Sequence, residues 1–320
     1  MDTPLRSAVV VNPVKVPDLD NLRRTLTESL PGWPEPIWLE TTAEDPGAGQ
    51  AAQAIRDGAE LVFVCGGDGT VMACVGALAG TDVALAVLPA GTGNLLAANL
   101  GLGTDLATGI EVVRQGGRRR IDVGCVGEQS FAVMAGMGFD AQMLDATNDT
   151  AKKHVGWLAY VAGAVKHLRD RPMRVTISLD DGPAFTRRPR TVIVGNVGRL
   201  QGGMRLLQEA EPDDGRLDVA VLSPRSLRHW AALAWGVLRR RSSVPRMETF
   251  TAATVAIRSS RPQPRQLDGD LIDPGTELLV TVRPKALLLC VPRPETDPDL
   301  AHDAKAVARD ADGIRQATSA

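Results

Sequence analysis

The segment that most constrains this chain is Leu61-Val62-Phe63-Val64-Cys65 running straight into Gly66-Gly67-Asp68-Gly69-Thr70, with the helix-like Val71-Met72 following. Five apolar residues in a row predict a strand buried on both faces. A strand that breaks into glycines and opens a helix presents backbone N–H groups at the positive end of the helix dipole. That arrangement suits a phosphate, and glycines let the backbone approach its oxygens. Asp68 is out of place beside a bare phosphate. It makes sense as a metal ligand or as the acceptor of a proton from an attacking hydroxyl. Asp-Gly also favours plain turns, so this stretch alone leaves a purely structural reading open.

The pattern around it is α/β. Strands are expected at 7–11, 36–42, 61–66 and 83–88, and helices at 20–30, 49–58, 71–78, 95–100 and 105–114. Alternating strands and helices imply a parallel sheet. Two loops, Gly66 to Thr70 and Pro89-Ala90-Gly91-Thr92-Gly93-Asn94, leave the carboxyl ends of strands. Ligands bind there in open α/β sheets.

After Arg118-Arg119-Arg120 the texture changes. Strands are expected at 121–126, 130–135, 173–179, 191–196, 216–222 and 251–257, with helices only at 147–169 and 226–240. The expected organisation is an α/β nucleotide-binding domain with a parallel sheet over 1–122, then a β-rich, sandwich-like domain over 123–292. The final strands are free to return to the first domain, and 293–320 is a charged, alanine-rich tail.

At 320 residues the chain has room for two domains. Its net charge of −2, with one Tyr and five Phe, argues against nucleic-acid binding. Cys65, Cys74, Cys125 and Cys290 form no metal-binding spacing and suit a reducing cytoplasm. The first eleven residues lack a signal-peptide pattern, and the longest weakly polar run, about 155–165, is too short to span a bilayer. Oligomeric state is open, a homodimer included.

No G-x-x-x-x-G-K-[ST] element is present. Gly136-Met137-Gly138-Phe139-Asp140-Ala141 matches the dinucleotide fingerprint but lacks a clean βαβ unit and a ribose-binding acid. The larger constellation carries more. Asn12-Pro13, Gly66 to Thr70, Pro89 to Asn94, Gly202-Gly203-Met204, Asp213-Asp214-Gly215 and Leu267-Asp268-Gly269-Asp270 occur in this order. In that order they resemble the diacylglycerol kinase catalytic-domain family, which includes bacterial lipid kinases and relatives of sphingosine and ceramide kinases. The resemblance runs from Ala8 to about Pro292. GGDGT alone is shared with NAD kinases; the P-x-G-T-G-N element and the late D-G-[ED] make the lipid-kinase resemblance specific.

The resemblance implies ATP in an inter-domain cleft, its phosphates over Gly66, Gly67, Asp68, Gly69, Thr70, Val71 and Met72. Asn12, Pro13 and Lys15 in the first loop, Thr42, and Thr92, Gly93 and Asn94 in the second would complete the nucleotide site. Asp214, with Asp213 beside it, matches a structural Mg²⁺ position, and a second Mg²⁺ would arrive with ATP. Asp270 matches the proton acceptor of the bacterial members, whereas sphingosine-kinase relatives give that role to the aspartate at Asp68. The expectation is Asp270 as base and Asp68 as metal or hydroxyl partner.

Two departures stand out. The family's N-P-x-[SA]-G loop is here Asn12-Pro13-Val14-Lys15-Val16, which puts a tight backbone cradle in doubt. Lys15 either replaces those contacts as a point charge or is a surface lysine. Asp270 stands where the family has glutamate, about one bond shorter.

The expected function is an ATP- and Mg²⁺-dependent kinase for a lipid hydroxyl, most readily that of diacylglycerol, working in the cytoplasm and touching the membrane surface transiently. The alternatives are an NAD kinase-like enzyme, a kinase of sphingoid or other lipids, and a non-catalytic nucleotide-binding regulator. Residues 152–169 and 229–241 combine Trp with basic residues, as membrane-surface helices do. A core-facing stripe with solvated basic ends reads equally well.

Overall fold

The computed structural model describes residues 4–90, 94–103, 105–115, 117–138, 172–198, 205–239 and 244–293. The first half is built on β1 (Ser7–Val11), α1 (Leu19–Ser29), β2 (Ile37–Glu40), α2 (Ala48–Arg56), β3 (Leu61–Gly66), α3 (Asp68–Leu78), β4 (Ala84–Pro89), α4 (Leu95–Leu100) and α5 (Leu106–Gln115). Its strands are parallel in the order β2-β1-β3-β4. β1 and β3 are buried at every position, because helices cover both faces. Alternate residues divide between two cores. Val10, Val64 and Val87 pack with α2, α3 and α4, while Val11, Phe63 and Leu88 pack with α1 and α5. α1 starts where Asp18 accepts the Asn21 N–H and ends before Pro31, with Leu22 and Leu26 buried at helical spacing.

The second half holds β5 (Arg118–Val126), β6 (Gln129–Phe131), β7 (Met134–Gly138), β8 (Val175–Leu179), β9 (Phe185–Arg187), β10 (Thr191–Gly195), β11 (Leu217–Leu222), α6 (Leu227–Leu238), β12 (Met247–Ala252), β13 (Thr254–Leu267) and β14 (Asp270–Cys290). The pairing order β12-β11-β10-β7-β13-β14 is antiparallel throughout. Val192, Val194, Val219 and Val221 point into a core closed by Ile177, Val255, Ile257 and Val280. On the opposite face Ile193, Ala220 and Leu222 pack with Leu233 and Val237 of α6.

β14 joins the halves. It pairs with β13 at its start, with β5 from Thr281 onward, and runs parallel to β4 at Leu289. Its register shifts between Arg283 and Leu287, where Lys285 takes a φ of 51°. Residue 122 lies in the middle of β5.

Several expected elements differ, each for a local reason. The strand expected at 130–135 is interrupted at Ala132-Val133, whose N–H groups turn to the Asp268 carboxylate instead of a ladder. The strand expected at 251–257 is broken at Ala253, because Asp180 Oδ1 accepts the N–H groups of Ala253 and Thr254. Helix α3 begins at Asp68 rather than Val71, so the aspartate belongs to the helix and not to the turn before it. β5 begins at Arg118, placing the arginine triplet inside a strand. Gly136 and Gly138 lie in β7, paired antiparallel to β10, which is no βαβ context for a dinucleotide. The helix expected at 147–169 and most of the 293–320 tail lie outside the described residues.

Candidate active site

The carboxyl ends of the parallel strands bring the first loops together. The Asn12 N–H donates to the Cys65 carbonyl, and the Thr41 N–H donates to the Val11 carbonyl. The loops after β1, β2 and β3 are therefore neighbours. In the first, Asn12 Oδ1 accepts the N–H groups of Val14 and Lys15, and the Asn12 carbonyl accepts those of Lys15 and Val16. The amides that a glycine loop would aim at phosphate are here folded back onto Asn12. Pro13 is half-buried and Lys15 exposed. Thr42 is also engaged locally, its Oγ1 accepting the Asp45 N–H at 3.0 Å.

The turn after β3 is built differently. A side chain on Gly66 would collide with Thr70, whose Cβ lies 2.8 Å from the position a Cβ would take. Gly66 is thus required by the packing of the turn itself. Gly67 is not: its φ of −85° suits any residue, and nothing lies within 4 Å of the place a Cβ would fill. The chain's own structure gives no reason for glycine there. A ligand seated on the N-terminus of α3 does, and that terminus has no side-chain cap. Thr70 and Val71 are buried beneath the turn.

Asp68 reaches the next loop. Its Oδ1 accepts the Leu95 N–H at 2.7 Å, tying the glycine turn to the start of α4. Asn94 caps α4 through the Ala97 N–H. Its Nδ2 is buried without an acceptor among the described residues. An anionic ligand at this edge would supply one. Thr92 and Gly93 lie outside the described residues.

Opposite stands the hairpin between β13 and β14. Asp268 and Gly269 form its two-residue turn, with φ of 48° and 99°, and Leu267 pairs with Asp270. Asp270 is exposed, and its Oδ2 lies 3.4 Å from the Cβ position on Gly69. Residues two hundred positions apart in sequence thus meet at the start of α3. Sequence reasoning gave Asp268 no role. It is buried, and its carboxylate accepts the N–H groups of Ala132, Val133 and Met134 at 2.9, 3.0 and 2.6 Å. Burial pushes its carboxyl up to about 7, against the lowering pull of those donors, with a further push from Asp68. An Asp-Gly dipeptide favours such a hairpin turn, but the clamp beneath it left no mark in the sequence.

Comparison with known proteins identifies this frame. The model of the diacylglycerol kinase catalytic domain matches residues 8–126, and the YegS C-terminal NAD kinase beta sandwich-like domain matches 133–291. A Chromohalobacter salexigens protein named "Probable lipid kinase YegS-like" is 31% identical over 230 residues, 69% of this chain and 72% of that protein. The chain belongs to the diacylglycerol kinase family. A Mycobacterium tuberculosis protein named diacylglycerol kinase is 31% identical over 176 residues, 53% of this chain and 57% of its own length. The match therefore spans little more than half of that relative. A crystal structure of a diacylglycerol kinase from Bacillus anthracis shares the fold, with a TM-score of 0.73 at 20% identity, covering 92% of this chain and 99% of that one.

The family resemblance placed a structural cation at Asp213-Asp214. Both oxygens of Asp213 accept from the Arg119 guanidinium at 2.9 Å, so that carboxylate is already neutralised. Asp214 is exposed and accepts the Arg216 N–H. The described residues contain no group of three His, Cys, Asp or Glu able to hold a metal. Of the pair, only Asp214 fits a cation. Nearby Asp122, fully buried, was also missed. Its carboxylate accepts the N–H groups of Gly215 and Lys285, its own N–H donates to the Pro212 carbonyl, and its carbonyl accepts from Asn196 Nδ2. It pins β5, the 212–215 turn and the bend of β14 together. Burial pushes its carboxyl up, and the charges of Asp214 and Asp213 add to that. Burial and Asp214 together raise Asp218 to about 6.

Proposed function

We propose that this protein is an ATP-dependent kinase that phosphorylates a lipid hydroxyl, most readily that of diacylglycerol, yielding phosphatidic acid. The observation that carries the reading is the approach of Asp270 to Gly69, which sets a solvent-accessible carboxylate beside an uncapped helix N-terminus. Phosphoryl transfer asks for positioning and charge neutralisation more than for covalent chemistry. The amides at the start of α3 and the Asn94 Nδ2 group would receive phosphate oxygens, with the exposed Lys15 on the neighbouring loop as a further positive charge. Mg²⁺ carried by ATP would add charge neutralisation there, with Asp68 and Asp270 as the nearest carboxylates.

Asp270 is the proposed general base. It is exposed to an acceptor, while one oxygen of Asp68 is held by Leu95. This favours Asp68 as the residue that orders the loops and faces the metal or hydroxyl, rather than as the primary proton acceptor. The missing methylene at 270 is consistent with this, since the hairpin, fastened to 132–134 through Asp268, already carries the Asp270 carboxylate to within 3.4 Å of the Cβ position on Gly69. Access to a lipid acceptor implies transient contact with a membrane surface; no helix among the described residues is long and apolar enough to cross one.

The reading is tested by offering radiolabelled ATP with diacylglycerol in mixed micelles and, in parallel, with NAD. Label entering the organic phase supports it. Label entering NAD alone overturns it in favour of an NAD kinase-like enzyme, and nucleotide binding without turnover on a broad lipid panel would point to a regulator.

A further inference from the structure

The stretch 219–247 contains six arginines and no Asp or Glu, in a chain whose net charge is −2. At its centre lies α6. The inner side of this helix is buried at Leu233, Gly236 and Val237; Leu233 and Val237 pack on the sheet and Gly236 lies against Val244. Arg228, Ala231, Ala232, Trp235 and Arg239 are exposed and recur at three- and four-residue spacing, forming one outward stripe. Trp235 is 51% exposed, and the Arg239 guanidinium lies 4.4 Å above its ring. Arg225, Arg228, Arg239 and Arg246 make no ion pair among the described residues, whereas Arg119, Arg187, Arg216 and Arg258 are each held by a carboxylate.

An indole left in water beside unpaired guanidinium groups matches one environment in particular. At the surface of an anionic bilayer the ring enters the headgroup boundary while the arginines meet lipid phosphates. A nucleic acid would engage the arginines, but the flat Ala-Ala-Trp strip between them offers it nothing that apolar headgroup boundaries do not match better. We propose that the outer face of α6 is the surface by which this protein docks on anionic membranes, with Trp235 as the inserted anchor and Arg228 and Arg239 as the headgroup contacts. The proposal extends the lipid-kinase reading by saying which surface meets the bilayer, and its evidence is independent of the cleft.

The test is co-sedimentation of the full chain with vesicles of phosphatidylcholine, alone or mixed with phosphatidylglycerol, and in parallel its binding to duplex DNA. The expected result is binding that needs phosphatidylglycerol, weakens with added salt, and drops by about 30-fold or more when Arg228→Gln, Arg239→Gln and Trp235→Ala are combined, given the usual worth of each arginine near an anionic surface. All three side chains are exposed, so near-ultraviolet circular dichroism should match the parent protein, and phosphorylation of a short-chain acceptor in detergent should be unchanged. The proposal is overturned if the triple variant binds anionic vesicles as the parent does, if binding is equal on neutral vesicles, or if DNA is bound more tightly than the vesicles. A protein that phosphorylates no lipid, yet loses vesicle binding in the triple variant, would sink the kinase reading and leave this one standing.

Discussion

At the scale of single residues, two glycines of the same turn have different physical reasons to be glycine. Gly66 cannot carry a side chain because Thr70 occupies the space. Gly67 can, as far as the fold is concerned, because its backbone is extended and its surroundings are open. Gly67→Ala is therefore expected to leave the melting temperature nearly unchanged while weakening ATP binding at least several-fold, measured by thermal unfolding and calorimetric titration on the same samples. Asp268 gives a pH prediction. Its carboxyl binds a proton more tightly in the folded chain than in the unfolded one. The stability that this proton linkage contributes is whole below about pH 4 and is lost as pH rises through about 7. Asp268→Asn cannot accept all three N–H groups, so it should cost about 1–3 kcal/mol. It should also flatten the fall of unfolding free energy between those two pH values, which urea titrations across that range would show.

At the scale of elements, the strands and helices of the first half were legible because their signals are local: buried runs, helical spacing, and glycine or proline at the ends. The two strand interruptions, at Ala132-Val133 and at Ala253, were not. Each is caused by a distant carboxylate, Asp268 or Asp180, that captures N–H groups a ladder would otherwise use. The same reason hid Asp122. Nothing around it in sequence announces that its partners are Gly215 and Lys285, one on a turn and one at the bend of β14. Asp122→Ala should destabilise the protein by about 2 kcal/mol or more, by leaving those donors without an acceptor. Hydrogen exchange should accelerate at the Gly215 and Lys285 amides before it does in β1 or β3, whose residues are fully buried. Uniform acceleration over the whole chain would show that Asp122 is not a local clamp.

At the scale of the molecule, the motif order in the sequence anticipated which segments meet. Gly69 and Asp270 face each other, and the Asp68 and Asn94 loops are joined. It did not anticipate how the first loop satisfies its own amides or how Arg119 occupies Asp213, because both depend on side-chain geometry across space. The long β14 strand ties the two halves together: it begins at Asp270, beside Gly69, and ends against β4 of the parallel sheet. The measurement that bears most directly on this account is the single-turnover rate of phosphate transfer to diacylglycerol by Asp270→Asn and Asp68→Asn, each at saturating ATP. Asp270→Asn is expected to lose on the order of 10²-fold or more in the transfer step while still binding ATP. An Asp270→Asn protein that transfers phosphate at the parent rate would contradict it.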